Sequence, residues 1–183
     1  MDNGASSYRR YLDGDDEGLV HLITEYKDGL IFYLNSIVDD LHVAEDLMQD
    51  TFFKLAVKKP RFNGSSAFKT WLYAIGRNIA LDHLRKKRPG VSLDEVETYL
   101  HDVTSIEEDY IRNEEKLEVR RAMGSIKREH AEALWLVYVE ELSYDDAAKV
   151  MKKSPKQFDS LIYRAKKSLK RELVKEVCVN DGI

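Results

Sequence analysis

The apolar residues of this chain recur at the spacing of α-helices, and this periodicity constrains the fold more than any other feature. Over residues 17–38, 44–55 and 68–79 the apolar positions fall mostly three or four apart, and residues 133–139 are strongly apolar. No segment alternates apolar and polar residues for long enough to predict a strand. Three prolines and nine glycines are too few turn formers for a many-stranded sandwich. The sequence therefore predicts an all-α fold.

The ends of several helices are also predicted. The second helix should end before Pro60, and a serine just before Ala67 is the predicted N-cap of the third. A further periodic segment begins near Ile106, and the apolar spacing of the last helix predicts that Leu169 and Leu173 are buried.

The charges are divided into blocks, although the formal net charge is only −4. Residues 54–88 carry ten Lys or Arg against one acid, and residues 149–175 carry ten against two. Between them, residues 90–118 carry ten Asp or Glu against two bases, and residues 1–50 carry twelve acids against three bases. Clustered cations with interleaved aromatics are typical of nucleic-acid contact, so two clusters predict two separate grips on one polyanion.

The acidic stretch divides the chain into two predicted domains. Pro89 and Gly90 stop the third helix, and residues 90–105 show no clean periodicity. We therefore predict two small helical domains, residues 1–89 and 106–183, joined by an acidic linker at 90–105. The acidic residues are either a solvated tether or a segment that covers a basic block in the free protein.

Composition also limits the compartment and the class of function. No stretch approaches the roughly 20 apolar residues that a membrane span requires, so no membrane insertion is expected. The single cysteine, Cys178, suits a reducing compartment and predicts a cytoplasmic location. The five histidines lack metal-ligand spacing, and the sequence has no glycine-rich phosphate loop. We expect no catalytic residue, no metal and no cofactor.

The C-terminal basic block has the pattern of a helix-turn-helix. Ser143 is a predicted N-cap for a short helix, and Ser154, Pro155 and Gln157 form a predicted capping box for a longer basic one. In that geometry the first turns of the second helix face the DNA major groove. The alternative is a solvated basic helix of an ordinary bundle. The candidates for base or phosphate contact are Lys156, Gln157, Ser160, Tyr163 and Arg164, with Lys166, Lys167 and Lys170 facing phosphates.

The N-terminal basic block combines cations and aromatics around a loop at residues 61–66. Unpaired bases stack on aromatic rings while cations neutralise the phosphates, so this composition suits single-stranded DNA. Phe68 and Trp71 fit the apolar face of the following helix and are predicted to be core. The contact candidates are Arg61, Phe62, Asn63 and Ser65 in the loop and Arg77, Asn78 and Arg85 on the helix.

A polar stripe precedes this loop. Asp46, Gln49 and Asp50 share one face of the second helix, and Phe53 follows one turn later. Such a stripe is either a solvated face or a docking surface for a basic protein partner.

These motifs together resemble the extracytoplasmic-function sigma factors of the sigma-70 family. Four segments of this chain resemble the promoter-melting domain of that family, namely AEDLMQDTF at 44–52, the loop at 61–66, FKTWLY at 68–73 and the pair Arg77–Asn78. Three further segments resemble the second conserved domain of the family, namely YVEELSY at 138–144, the pair Ala147–Ala148 and YRAKKSL at 163–169. The motifs occur in the family's order and at its spacing, from about residue 17 to 174.

The resemblance implies a subunit that binds core RNA polymerase and directs promoter recognition and melting. It implies that the first domain docks on the clamp of the largest polymerase subunit through Asp46, Gln49 and Asp50. It assigns the capture of a flipped base of the promoter −10 element to Phe62, Asn63, Gly64, Ser65 and Ser66, with Arg77 and Asn78 on the same element.

The resemblance also implies that the helix beginning at Pro155 reads the −35 element and that this domain meets the flap of the second polymerase subunit. Members are commonly held inactive by an anti-sigma factor. Lys152 and Lys156 stand where the family often has glycine, and Asp159 and Leu161 stand where basic residues are common. We therefore expect an atypical −35 sequence. A helix-turn-helix regulator that acts without polymerase is the alternative, but it leaves the loop and the stripe unassigned.

Overall fold

The computed structural model of the protein describes residues 3–87, 119 and 121–180. Within these ranges no strand occurs, and the all-α prediction is confirmed. The predicted linker at 90–105 and the helical segment predicted to begin near Ile106 lie outside the described residues, apart from helical residues 121–124. The helices are α1 (Asn3–Leu12), α2 (Glu17–Val38), α3 (Leu41–Lys58), α4 (Phe68–Lys87), α5 (Arg128–Tyr138), α6 (Tyr144–Val150) and α7 (Pro155–Asn180).

Helices α1 to α4 form the first lobe, with α2 at its centre. Helix α2 packs against α1, α3 and α4, and its buried side chains include Leu22, Leu30 and Leu34. Its predicted range matches the structure. Helix α3 ends at Lys58, and Lys59 then adopts a left-handed conformation with φ 43° just before Pro60. The predicted end before Pro60 is therefore confirmed.

A layer of aromatic rings fills the first lobe beside the loop. The Phe68 ring is fully buried, and its centroid lies 5.6 Å from those of Tyr8 and Phe62 and 5.4 Å from that of Trp71. The prediction that Phe68 is core is confirmed, whereas Trp71 is half-buried. The predicted serine N-cap of α4 is wrong, because the Ser66 hydroxyl donates to the Ala67 carbonyl at 3.3 Å and the helix begins at Phe68.

Helix α1 has no counterpart in the sequence predictions. Its segment contains asparagine, glycine and two serines, which favour turns and caps over helix interiors, and it has too few apolar positions to establish a helical period. The helix exists because it lies on a preformed surface, where Tyr8 and Tyr11 become buried. Tertiary packing thus supplies what local propensity does not.

Helices α5 to α7 form the second lobe, and its caps are as predicted. The Ser143 hydroxyl accepts from the Asp146 N–H at 3.1 Å. The Ser154 hydroxyl accepts from the Gln157 N–H at 3.3 Å, and the Gln157 side chain accepts from the Ser154 N–H at 2.9 Å. This reciprocal pair is the predicted capping box, and α7 begins there.

The two lobes pack directly on each other. Helix α2 contacts α5, and α4 contacts α6. These contacts bring the second lobe against α2 and against α4, the helix that follows the loop at 61–66, and the packing on α4 determines whether the candidate residues of that helix are accessible.

Candidate nucleic-acid interface

The loop at 61–66 presents its polar side chains to solvent. Arg61, Asn63 and Ser65 are exposed. The Asn63 side-chain oxygen accepts from the Ser65 N–H at 3.0 Å, which forms a small turn. Gly64 has φ +71°, a left-handed conformation that favours glycine at this position. The turn therefore projects the loop tip away from the lobe.

Phe62 differs from its exposed neighbours in the loop because it is half-buried. Its ring stands edge-on to Phe68, and its centroid lies 5.2 Å from that of Trp71. We call the rings of Phe62, Phe68 and Trp71 the aromatic floor. The exposed polar residues of the loop thus follow a cluster of rings directly in the chain, and this combination of polar groups and aromatic surface can accept an unstacked base.

The residues predicted on α4 differ in their access to solvent. Arg85 is exposed and pairs with Asp82 one turn earlier at 2.5 Å. Asn78 is half-buried, and its amide nitrogen donates to the Ala74 carbonyl at 2.7 Å. Arg77 is only 7% exposed, because the second lobe covers it.

Arg77 is held by a buried carboxylate of the second lobe. Its Nε donates to Oε1 of Glu132 at 2.6 Å and its Nη2 to Oε2 at 3.3 Å, and the Tyr33 hydroxyl donates to Oε1 at 2.8 Å. Glu132 is 3% exposed. Burial, followed by this carboxylate, raises the pKa of Tyr33 well above its ordinary value, so the phenol remains a donor.

A second buried carboxylate lies at the other end of the same contact. Glu140 accepts from the Tyr73 hydroxyl at 2.8 Å and from the Trp135 indole at 3.1 Å, and Lys69 Nζ lies 2.9 Å from Oε2. Lys69 also donates to the Glu140 backbone carbonyl at 2.9 Å. Burial and then the carboxylate raise the pKa of Tyr73. Each carboxylate of this lobe–lobe contact therefore has a cation and a phenol from the first lobe.

The sequence reasoning missed both glutamates. Glu132 and Glu140 belong to or flank an apolar helix, where a carboxylate must find a partner when it is buried. That mismatch between residue type and position was the available signal. The partners lie 55 and 67 or more residues away in sequence, and no local pattern identifies them.

The second basic block presents one face of α7. Phe158, Leu161, Ile162 and Ala165 are buried against α5 and α6. The opposite side is exposed, and Tyr163 is 69% exposed there. Because residues four, seven, eight and eleven positions apart share a helix face, five predicted contact residues form one stripe. The members of this α7 stripe are Lys156, Ser160, Tyr163, Arg164 and Lys167.

Three residues of the helix-turn-helix have structural roles, of which the sequence indicated only the capping box of Gln157. Gln157 is exposed, but its side-chain oxygen is occupied by the capping box. Leu161 is 1% exposed and therefore belongs to the core, which explains an apolar residue at that position. Lys152 adopts φ 54° in the turn, where a glycine would avoid the strain of the left-handed region. Leu169 and Leu173, which were predicted to be buried, are half-buried.

Lys166 does not join the α7 stripe. Its Nζ donates to the Tyr144 hydroxyl at 3.2 Å and lies 5.4 Å from the centre of the Tyr138 ring. Hydrogen bonds to Tyr138 and then Tyr144 raise the pKa of Lys166. The residue thus tethers α7 to the helices before it.

The acidic stripe on α3 is fully accessible. Asp46, Gln49 and Asp50 are exposed, and Phe53 and Val57 continue the same face with exposures of 66% and 55%. An acidic row that ends in two exposed apolar side chains has the composition of a protein-docking surface. We call these five residues the α3 stripe.

Both parts of the chain match models of one protein family. Residues 22–89 match Sigma-70 region 2, and residues 116–169 match Sigma-70 region 4. The chain is 31% identical over 170 residues to the RNA polymerase sigma-H factor of Pseudomonas aeruginosa, covering 87% of this chain and 88% of that protein. The chain belongs to the extracytoplasmic-function class of RNA polymerase sigma factors.

Other relatives agree with this assignment. The sigma factor is 29% identical over 145 residues to the extracytoplasmic-function factor SigM of Bacillus subtilis, covering 79% of this chain and 88% of that one. Among solved structures, it is similar to the sigma factor RpoE of Bartonella quintana in complex with the anti-sigma factor NepR. That match has 27% identity and a TM-score of 0.67, covering 84% of this chain and 94% of RpoE.

The family membership separates the two function classes that the sequence left open. A helix-turn-helix regulator that acts without polymerase accounts for the second lobe alone, whereas a sigma factor accounts for both matched regions. Sigma factors are generally non-enzymatic initiation factors. In the described part of the sigma factor, no three His, Cys, Asp or Glu side chains are grouped to hold a metal ion. None of its described helices combines the length and apolarity that a membrane crossing requires.

Proposed function

We propose that this sigma factor binds core RNA polymerase in the cytoplasm and opens promoter DNA with its first domain. In this proposal residues 1–89 dock on the polymerase clamp and melt the −10 element, residues 90–105 are a linker, and residues 106–183 read the −35 element and meet the flap. The chain itself has no catalytic role, because the chemistry of RNA synthesis belongs to the polymerase.

The proposal rests mainly on the structure of the loop at residues 61–66. Its exposed side chains, Asn63 and Ser65, follow the half-buried Phe62 in the chain and form a small turn, and Arg61 supplies a cation on the other side of Phe62 in sequence. Extrusion of a base costs a few kcal/mol of unstacking, which ring contacts and hydrogen bonds can offset. Gly64 and Ser66 complete the proposed pocket, and Asn78 and Arg85 extend it along α4.

The proposed contact of Arg77 with DNA requires a rearrangement of the two lobes. Its guanidinium is enclosed between the lobes and paired with Glu132. Contact with a promoter phosphate therefore requires that α5 first moves away from α4. Separation of the lobes is thus part of the proposed function, and the phosphate would take the place of the carboxylate.

The α7 stripe is the proposed reader of the −35 duplex. Its five exposed residues include three that are cationic, and they lie on the face opposite the core. While its oxygen accepts in the capping box, Gln157 can offer a base only the N–H donors of its amide nitrogen. Asp159 is exposed on the same helix, and because a carboxylate accepts from cytosine but repels phosphate, it favours an unusual −35 sequence.

The α3 stripe is the proposed contact with the polymerase clamp. Its carboxylates would pair with a basic surface, and Phe53 and Val57 would be covered. An anti-sigma factor is a further proposed partner, by analogy with the RpoE complex. We expect it to cover surfaces that the polymerase or the promoter would otherwise occupy.

Strand opening tests the loop assignment. Purified protein is mixed with bacterial core polymerase and genomic promoter fragments, and unpaired thymines are detected by permanganate. Asn63→Ala combined with Ser65→Ala is expected to lower opening about tenfold, because two polar contacts to the extruded base are lost. Thr24→Ala, an exposed hydroxyl on α2, is the matched control. Normal opening by the double variant would remove the loop from the proposal.

Polymerase binding tests the α3 stripe separately. Charge reversal by Asp46→Lys with Asp50→Lys is expected to weaken core binding at least tenfold, since two attractive contacts become repulsive. Asp13→Lys with Glu25→Lys reverses two exposed acids elsewhere on the first lobe and controls for net charge. Equal losses in both double variants would show that only the overall charge matters and would contradict the docking assignment.

A further inference from the structure

Helix α1 is fitted closely to the rest of the first lobe. A side-chain carbon added at Gly4 would lie 2.5 Å from the Phe68 ring, and one added at Gly18 would lie 2.7 Å from the Tyr11 backbone nitrogen. Two glycines thus allow α1 to approach α2 and the aromatic layer at backbone distance. The helix precedes the segment that matches Sigma-70 region 2, which begins at residue 22.

Two tyrosines of α1 are hydrogen-bonded to the chain that leads into the loop. The Tyr11 hydroxyl donates to the carbonyl of Ala56, in the last turn of α3, at 3.0 Å. The Tyr8 hydroxyl donates to the carbonyl of Pro60 at 2.7 Å. Between these two acceptors lies the left-handed residue Lys59, where the helix ends. Tyr11 therefore holds the end of the helix, and Tyr8 holds Pro60, the residue that directly precedes the loop.

Tyr8 also contacts the aromatic floor of the loop. It is 1% exposed, and its ring centroid lies 5.6 Å from that of Phe68 and 5.4 Å from that of Trp71. Phe62 rests on the same two rings. One side chain therefore touches both the backbone where the loop begins and the rings on which it lies. Burial raises the pKa of Tyr8 to about 12, so the hydroxyl keeps its proton near neutral pH.

We propose that Tyr8 is a positioning residue for the capture of single-stranded promoter DNA. Its hydroxyl fixes the point at which the loop leaves α3 and thereby sets the position of Asn63 and Ser65 relative to the aromatic floor. The inference rests on the proposed role of the loop. A preorganised loop loses less conformational freedom when it binds, and this gain disappears when the anchor is released.

The test compares two substitutions that each remove one hydroxyl and keep the ring. Tyr8→Phe and Tyr11→Phe are assembled with core polymerase, and each holoenzyme is titrated with a labelled single-stranded oligonucleotide selected from a random pool by the wild type. We expect Tyr8→Phe to weaken binding about fivefold, the value of one ordinary hydrogen bond. Tyr11→Phe, which releases only the helix, should change it less than twofold, and both should bind core polymerase normally.

A double-variant cycle distinguishes positioning from general destabilisation. If Tyr8 acts through the loop, Tyr8→Phe should have little further effect once Asn63→Ala has removed the loop contact. Additive losses, or equal losses in Tyr8→Phe and Tyr11→Phe, would overturn the inference. If Asn63→Ala weakens binding and Tyr8→Phe does not, the inference fails and the loop assignment survives. If Asn63→Ala is silent, the loop assignment fails, and the role of Tyr8 fails with it.

Discussion

The two best-buried contact regions of this protein differ in their chemistry. Around Phe68 the first lobe is closed by aromatic rings, whereas between the lobes the buried groups are Glu132 and Glu140 with their cations and phenols. Ring burial stabilises roughly in proportion to the area removed from water. A buried ion pair gains Coulomb energy but loses hydration, so its net contribution is small. Apolar residues of both lobes also belong to one core cluster, so we expect the lobe–lobe contact to be weaker than the aromatic layer only to the extent that its buried charges offset that apolar burial.

The largest expected effect comes from truncation of the aromatic layer. Phe68→Ala should lower the free energy of unfolding by about 4 kcal/mol, because ring contacts are lost and a cavity remains. Urea unfolding followed by Trp71 fluorescence, with Trp135→Phe to leave one reporter, measures the loss in the first lobe. Phe53→Ala removes the same side chain from an exposed position and should change stability by less than about 0.5 kcal/mol. Equal losses of unfolding free energy at Phe68 and Phe53 would contradict the view that burial of rings stabilises the first lobe.

Removal of one partner from the lobe–lobe contact should have a smaller cost. Glu132→Ala leaves the Arg77 guanidinium and the Tyr33 hydroxyl buried without their carboxylate, at a cost of about 3 kcal/mol in unfolding experiments. Replacing both charges, by Glu132→Leu with Arg77→Leu, should recover most of that stability, since apolar pairs often match buried ion pairs. Failure of the double variant to recover would mean that the ion pair itself stabilises the contact.

A wedge at Gly29 should loosen the lobes without removing a charged group. An added side-chain carbon would lie 2.6 Å from the Tyr73 hydroxyl, which donates to Glu140. Gly29→Ala should therefore disfavour the closed arrangement by about 1 kcal/mol, the lower end of overpacking costs. Energy transfer between dyes on cysteines introduced at Asp13 and Lys170, with Cys178→Ser, should report a larger separation. Adding Tyr73→Phe removes the clashing oxygen and should restore closure; persistence of the open form would contradict this account.

The smallest effect concerns a polar atom inside the aromatic lobe. The Thr70 hydroxyl is buried and has no hydrogen-bond partner within the described part of the chain. Thr70→Val keeps the shape and should raise the free energy of unfolding by about 1 kcal/mol. Thr51 is equally buried, but its hydroxyl donates to the Leu47 carbonyl at 2.7 Å, so Thr51→Val should give no gain. A gain at both positions would mean that apolar volume alone explains the result.

The sequence predicted the elements of this fold well wherever the information is local. The range of α2, the end of α3 before Pro60 and the capping box at Ser154 follow from side-chain period and cap chemistry within a few residues. Helix α1 was missed because its stability comes from the surface on which it packs. The pairing of Glu132 with Arg77 was missed for a related reason, since distant contacts leave no periodic trace.

The candidate sites also divide into features that local sequence predicts and features that depend on distant contacts. Exposure of Asn63, Ser65 and the α7 stripe agrees with simple helix and turn geometry. The enclosure of Arg77 and the core position of Leu161 required the tertiary structure, because each depends on what packs against the helix face. Sequence similarity alone would assign Arg77 a contact that this arrangement covers.

The unequal exposure of the two basic blocks has a kinetic consequence. The α7 stripe is exposed to solvent, whereas Arg77 is buried between the lobes. Duplex DNA can therefore contact α7 before the lobes separate and Arg77 becomes accessible. If the two basic blocks have the proposed roles, DNA encounter would precede strand separation. A promoter that binds α7 poorly would then be rejected before any unpairing begins.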